Sequence, residues 1–365
     1  MNRKGVPTLR DLHELPLLDG PRHGASMREV AERANVAISS VSRVLSGHPD
    51  VSRPMRERVM EAVRELEYEP HFLAQSLRRG ATLSVGMVIN DISNPVQAEV
   101  ALGAESALRA AGYSMMLMNS ENDPALDAAH IRFLRSRRVD GMLLSFVSDR
   151  AEQTVEQLRQ LDRPVVVIDR EPPADVGAST VLVDHAAGMN QAVAHLLELG
   201  HRRIGLVAGP ADVRPGYARI DAMYAAVARG RAGARAFHLS GPFTPQFGED
   251  ATHELLDDAD PPTAILAGSN LILIGCLRAI ERRGVRVGRD LSLVACDDVP
   301  LAELYSPPLS VIRRDTIELG RTAAKQLLRR LGDDTGPERT LLPTTFIPRS
   351  STVPPAQPAH AKAQP

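Results

Sequence analysis

Ser26-Met27-Arg28-Glu29-Val30-Ala31-Glu32-Arg33-Ala34-Asn35-Val36-Ala37-Ile38-Ser39-Ser40-Val41-Ser42-Arg43-Val44-Leu45 packs two short helical patterns around a tight turn. Its first four residues form a Ser-x-x-Glu capping box. The hydroxyl of Ser26 can cap the first orphan amides while Glu29 reaches back to the cap's own amide. Val30, Ala31 and Ala34 supply a short apolar face, and Asn35 stands where a turn wants a residue tolerant of positive φ. Val41, Val44 and Leu45 fall at i, i+3 and i+4, which puts them on one side of a second helix. The other side carries Ile38, Ser39, Ser40, Ser42 and Arg43, small or hydrogen-bonding groups with one long cation. This pattern predicts a helix-turn-helix whose second helix enters a DNA major groove. The competing reading of the stretch alone is a helical hairpin that merely packs.

The next residues favour the first reading. Val51-Ser52-Arg53-Pro54 opens a third helix, with Ser52 as N-cap and Pro54 in the first turn, where a missing amide costs nothing. Val59, Val63 and Leu66 continue its apolar face. With these words in place the sequence resembles the lac repressor/galactose repressor (LacI/GalR) family of bacterial transcription regulators. The resemblance is carried by Val41-Ser42-Arg43-Val44-Leu45, Gly47-His48-Pro49, Arg56-Glu57-Arg58-Val59, Tyr68-x-Pro70 and Ala74-x-Ser76-Leu77-Arg78. It runs through nearly the whole chain to about Arg349.

At 365 residues the chain can hold several domains. Residues 1–80 carry 13 Lys/Arg against 11 Asp/Glu, while the remainder carries 30 against 34. A mildly basic front on an acidic body suits a small DNA module attached to a sensor. Cys276 and Cys296 lie inside apolar runs and read as buried small hydrophobes, with no zinc spacing. No signal-peptide stretch and no bilayer-length apolar segment is found, so a cytoplasmic protein without a membrane partner is expected.

Organisation follows from composition and rhythm. Residues 1–25 read as a flexible extension, 26–69 as the helix-turn-helix domain and 70–80 as a hinge helix. From Thr82, short apolar runs alternate with helical stretches, an α/β rhythm that predicts parallel sheets covered on both faces. Two such units form the core, 81–349. The first lobe is about 82–182 and 315–340, the second about 183–314 and 341–349, with crossings near Val183, Arg314 and Leu341. Residues 350–365 read as a disordered tail. The resemblance implies a periplasmic-binding-protein-like core with its ligand between the lobes, outside the carboxyl ends of the strands. It also implies a homodimer, since the tail has no leucine heptad for a tetramer.

Site residues come partly from chemistry and partly from the resemblance. The resemblance implies base contacts by Ile38, Ser39 and Arg43. Arginine suits a guanine edge or a phosphate because its fork donates two parallel hydrogen bonds. Ser40, Ser42 and Ser52 offer hydroxyls to bases or phosphates. Leu77 matches a hinge leucine that wedges between central base pairs of a palindromic operator, with Arg78 near the phosphates. In the core, Arg219 and Asp297 match effector-binding residues and Phe243 a pocket aromatic; a cation and a carboxylate facing each other across a cleft suit hydroxyl-rich ligands. Arg170, at a strand end, and Asn270 complete the expected effector set. The sequence departs from the family where Val96-Gln97 follows Asn94-Pro95 in place of the usual aromatic pair, and where Ser269-Asn270 replaces Asn-Asp. Arg170 with Arg219 leaves room for a sugar acid or sugar phosphate as well as a neutral sugar.

Two other functional classes compete with this reading. A periplasmic-type sugar-binding protein without a DNA role would have no use for residues 26–80. An enzyme would need chemistry that is not found, since G-x-G-x-x-G, P-loop, metal-cluster and G-x-S-x-G patterns are all missing. No cofactor and no metal are expected. The sequence therefore predicts a DNA-binding regulator, a repressor above all, controlled by a small effector.

Overall fold

The computed structural model describes residues 25–46, 48–68, 81–230, 233–332 and 336–355. The expected hinge helix, with Leu77 and Arg78, lies outside the described residues, as do most of the N-terminal extension and the end of the tail. The chain divides into an N-terminal unit up to Thr82 and a second unit from Leu83 onward.

Among its described residues the N-terminal unit has three helices, α1 (Met27–Ala34), α2 (Ile38–Leu45) and α3 (Arg53–Glu65). The capping box at Ser26 and Glu29 is formed, and Asn35 ends α1 in the left-handed conformation at φ 51°. That residue sets the turn between α1 and α2, since asparagine tolerates a geometry that most side chains resist. Val30, Ala31, Ala34, Val41, Val44, Val59, Ala62 and Tyr68 form one buried cluster. All three helices contribute, so none of them is stable packing surface alone.

The second unit contains two six-stranded sheets. In chain order its elements begin β1 (Ser84–Ile89), α4 (Pro95–Ala110), β2 (Ser114–Asn119), α5 (Pro124–Ser136), β3 (Gly141–Leu144), α6 (Glu152–Arg159), β4 (Val165–Ile168) and β5 (Ser179–Val183). There follow α7 (His185–Glu198), β6 (Arg203–Ala208), α8 (Arg214–Arg229), β7 (Arg235–Ser240), α9 (Pro245–Asp257), β8 (Ala264–Ala267), α10 (Asn270–Arg282) and β9 (Ser292–Cys296). Last come α11 (Pro300–Leu304), β10 (Ser310–Arg313), α12 (Thr316–Gly332), β11 (Arg339–Leu342) and β12 (Thr345–Ile347).

The first sheet has the order β11-β5-β4-β3-β1-β2 and the second β12-β10-β9-β8-β6-β7. Every pairing is parallel except β10 with β12. The inner strands are continuous apolar runs because helices cover both of their faces. Each lobe has one helix pair at very close approach. A Cβ on Gly103 of α4 would stand 2.0 Å from the carbonyl oxygen of Ile317, and one on Gly320 of α12 would stand 1.9 Å from that of Val100. In the second lobe Gly248 and Gly275 play the same part between α9 and α10.

Two details differ from the sequence reading. The crossing expected near Leu341 lies later, because Leu341 and Leu342 pair with Leu182 and Val183 in the first sheet. Pro343, with no amide to donate, ends that ladder. The Thr344 hydroxyl then donates to Asp184 O and accepts from Gly188 N, at 2.6 and 2.8 Å. Second, residues 350–355 are ordered against the second lobe. Ser351 is fully buried; its hydroxyl donates to Leu293 O and accepts from Ser310 N. Val353 O accepts from the ring of His201, which is itself fully buried.

Both cysteines are free and buried, and burial pushes the Cys276 thiol up to about 12. Among the described residues no helix is long and apolar enough to cross a membrane.

Candidate functional site

In the head, α2 buries Val41 and Val44 and turns its other side outward. Ile38 is 42% exposed; Ser39 and Arg43 are exposed, and Ser40 and Ser42 half-buried. Arg43 makes no side-chain bond among the described residues. Ala37 occupies the N-cap and gives the helix no side-chain hydrogen bond, so its first amides stay available. Ser52 is the N-cap residue of α3, as expected, but its exposed hydroxyl is not spent on capping. An exposed apolar group, the exposed Ser39 hydroxyl, a guanidinium with no side-chain bond among the described residues and open amides on one short helix match what base edges and phosphates require.

In the second unit a cavity lies between the two sheets' strand ends. It has a volume of about 60 Å³, room for several waters or one compact small molecule. Arg170, Arg219, Phe243, Asn270 and Asp297 all line it, so the five residues expected from sequence are brought together. Asn90, Asn94, Gln97, Ser145, Asp169 and Arg314 line it too. Ser269 caps α10 and so places Asn270, whose side-chain amide donates to Asn94 Oδ1 across the lobes at 2.9 Å.

Arg219 and Asp297 do not face each other from opposite lobes, contrary to expectation. Both belong to the second lobe. Arg219 donates to Gly268 O at 2.8 Å, and the Asp297 carboxylate is held by Arg314 at 2.7 Å. Arg314 also donates to Asp169, from the first lobe, at 3.1 Å. Asp169 and Asp297 follow β4 and β9, and both stand at positive φ, 51° and 80°. Such strain persists only where surroundings hold it, here one guanidinium shared by both carboxylates. The sequence reading treated Arg314 as a crossing point and missed this role.

Asp169 is the centre of a wider network. It accepts from Arg214 at 3.3 Å and from the ring of His185 at 3.0 and 3.1 Å. Burial alone would raise the Asp169 carboxyl, but His185, Arg314 and Arg170 hold it well below the ordinary range. Burial pushes His185 down to about 4 despite Asp169, so at neutral pH the ring is uncharged and Nε2–H donates. Burial would also raise Asp297, and Arg314 followed by Arg219 keeps it low.

Arg170 is less free than its sequence position implies. It donates to the carbonyl oxygens of Phe146 and Asp169, each at 2.9 Å, and lies 3.8 Å from Asp149. Burial pushes the Asp149 carboxyl up to about 6, with Arg170 opposing. Beside it, Tyr217 of the second lobe donates to Glu171 of the first at 2.6 Å. Among the described residues there is no cluster of His, Cys, Asp and Glu that could hold a metal ion.

Comparison with known proteins places this geometry in context. Residues 26–71 match the description "Bacterial regulatory proteins, lacI family", and residues 193–352 match a "Periplasmic binding protein-like domain". The HTH-type transcriptional repressor PurR of Haemophilus influenzae is 31% identical over 310 residues, which cover 84% of this chain and 91% of PurR. CytR of Escherichia coli K12, also an HTH-type transcriptional repressor, is 30% identical over 330 residues, 90% and 96% of the two chains. Among solved structures, the lac repressor dimer bound to operator and the anti-inducer ONPF superposes with a TM-score of 0.79 at 26% identity, covering 90% of this chain and 99% of that one. The complex of the regulator CelR with cellobiose gives 0.68 at 31% identity, with the same coverage. This chain belongs to the lacI family of bacterial regulatory proteins.

Proposed function

We propose that the protein is a cytoplasmic, dimeric transcriptional repressor that reads an inverted-repeat operator with α2 and answers to a small hydroxyl-rich effector. The observation that carries this reading is a cavity into which both lobes send polar side chains, in a chain that also bears an open recognition helix. Ile38, Ser39 and Arg43 read bases in this scheme; Ser40, Ser42 and Ser52 contact phosphate or base edges. Asp297 and Arg219 hold neighbouring hydroxyls, Asn270 and Arg170 orient the ligand, and Phe243 packs against its apolar face. An effector can shift operator affinity only by favouring one arrangement of the lobes. Asn270 with Asn94, and Arg314 between Asp169 and Asp297, are contacts that tie one arrangement. The operator-bound lac repressor and the cellobiose-bound CelR support the assignment of both partners.

The test begins with operator DNA selected from a random pool and with mass spectrometry of small molecules retained by the purified protein. Arg43→Ala should lose the distinction between selected and scrambled DNA yet keep ligand affinity. Asp297→Ala should keep ligand-free operator affinity and lose the response to the retained compound. Discrimination intact in the first variant, or full response in the second, would sink the corresponding assignment.

A further inference from the structure

The loop that follows β3 runs to the seam between the lobes and is pinned there. Asp127 of α5 accepts from Val147 N at 2.7 Å, and Arg170 donates to Phe146 O at 2.9 Å. The next two residues reach the second lobe. Ser148 donates its hydroxyl to Asp212 at 3.4 Å, and the Asp149 carboxylate accepts from the backbone amide of Arg214, the first residue of α8. Its Oδ2 also accepts from Glu171 N at 3.4 Å. Asp149 is buried, yet its Oδ1 has no hydrogen-bond partner among the described residues.

The charges that face this carboxyl are engaged elsewhere. Arg170 stands 3.8 Å from Oδ1 but gives its hydrogen bonds to the carbonyls of Phe146 and Asp169. From α8, Arg214 turns its guanidinium to Asp169, Val183 O and Glu171, and Tyr217 donates to Glu171. Asp169 and Glu171 follow β4 and add negative charge, Asp127 lies behind the loop, Asp212 sits beside Ser148, and Arg150 is exposed. As an anion, Asp149 therefore leaves one oxygen unserved in a seam closed to water. Only a proton or renewed access to water removes that cost.

We infer that Asp149 couples proton uptake to lobe arrangement: the joined lobes seen here take up a proton at this carboxyl, and parting of α8 from the loop after β3 releases it. The inference rests on the effector reading above, since the same movement of the lobes would carry the effector's message. The sign follows from linkage. Joined, the carboxyl keeps its proton up to about 6; parted and wetted, it loses the proton near 3.9 like any exposed aspartate. Acidification thus favours the joined arrangement, by about tenfold in the equilibrium constant between pH 7.5 and pH 5. An effector that joins the lobes binds together with a proton.

The experiment measures the separation of the lobes in the full-length protein without ligand. Spin labels go on Gln153→Cys of α6 and Asp221→Cys of α8, both exposed, while the two native cysteines are buried. Labelled chains are diluted with unlabelled protein so that distances arise within one chain. From pH 7.5 to pH 5 the population at the shorter distance should grow about tenfold relative to the longer one in wild type. In Asp149→Asn, which keeps the shape and carries no charge, the shorter distance should dominate at every pH. A wild-type distribution that ignores pH, or an Asp149→Asn protein that follows pH as wild type does, would overturn the inference. A thermal-shift panel of monosaccharides, disaccharides, aldonic acids and sugar phosphates then supplies a binder. Calorimetry at pH 6.5 in two buffers of different ionisation enthalpy should show protons exchanged on its binding by wild type and none by Asp149→Asn. Equal proton exchange in both proteins counts against Asp149. A panel with no binder would sink the effector reading and leave the proton-linked movement, if seen, standing.

Discussion

Arg314 holds one carboxylate from each lobe, and its replacement tests how much that arrangement matters. Arg314→Met leaves Asp169 and Asp297 buried with one shared cation fewer, which should cost about 3–5 kcal/mol in urea unfolding. A loss under about 1 kcal/mol would mean that water already screens the pair. Two neighbouring groups give opposite pH signatures. Asp149, at about 6, keeps a proton that an unfolded aspartate loses near 3.9, so its contribution is present at low pH and fades as pH rises toward 6. His185, at about 4, refuses a proton that an unfolded histidine takes near 6.5; its contribution is present above that value and fades as pH falls toward 4. Between these limits the two oppose each other. Asp149→Asn should therefore lose stability on acidification more steeply than wild type, and His185→Gln less steeply. Curves parallel to wild type from pH 4.5 to 6.5 would contradict both. At this scale the sequence was partly legible. Arg219 and Asp297 stand out through the family resemblance, and Asp297 and Asn270 also lie where a strand ends and a helix begins. Arg314 and Asp169 act through a partner 145 residues away, and spacing along the chain carries no sign of that.

At the scale of the element, α2 is stable enough without a cap because the head's core holds its inner face. Ala37 has the extended backbone of an N-cap, so Ala37→Ser should add about 1 kcal/mol to the head's stability, read as a higher melting point of its helical signal. No gain would mean the serine hydroxyl turns away from the open amides. The glycine crossings are less forgiving. Gly320→Ala would push a methyl group into the carbonyl of Val100, and the backbone must move; a loss of about 3 kcal/mol is expected. Unchanged unfolding would show that the two helices can part freely. The α/β rhythm of the core was legible from periodicity, since short apolar runs between helical patterns have few other readings. α4, α5 and α9 each begin with Pro and α8 carries it second, a position where a missing amide costs nothing. The close approach of α4 and α12 was invisible, because Gly103 and Gly320 become informative only once the fold brings them together.

For the whole molecule, the chain's order of use has a consequence for how the protein is made. The first sheet is closed by β11, residues 339–342, and the second by β12 and the segment through Val353, whose amide bonds Ser292. Neither lobe can be completed while the chain is still emerging from the ribosome with its last few dozen residues unmade. The head needs nothing beyond Tyr68 for its core and can fold as soon as it is synthesised. Vectorial synthesis thus produces a folded recognition module trailing an unfinished core, whose exposed strand edges are open to protease and chaperones until the end. Stalled nascent chains ending at Glu338 should show a protease-resistant head and a digested core. Released chains ending at Pro355 should resist throughout, and a stop at Arg349 should leave the second lobe labile. A core already resistant at Glu338 would mean that β11 and β12 seal sheets that stand without them.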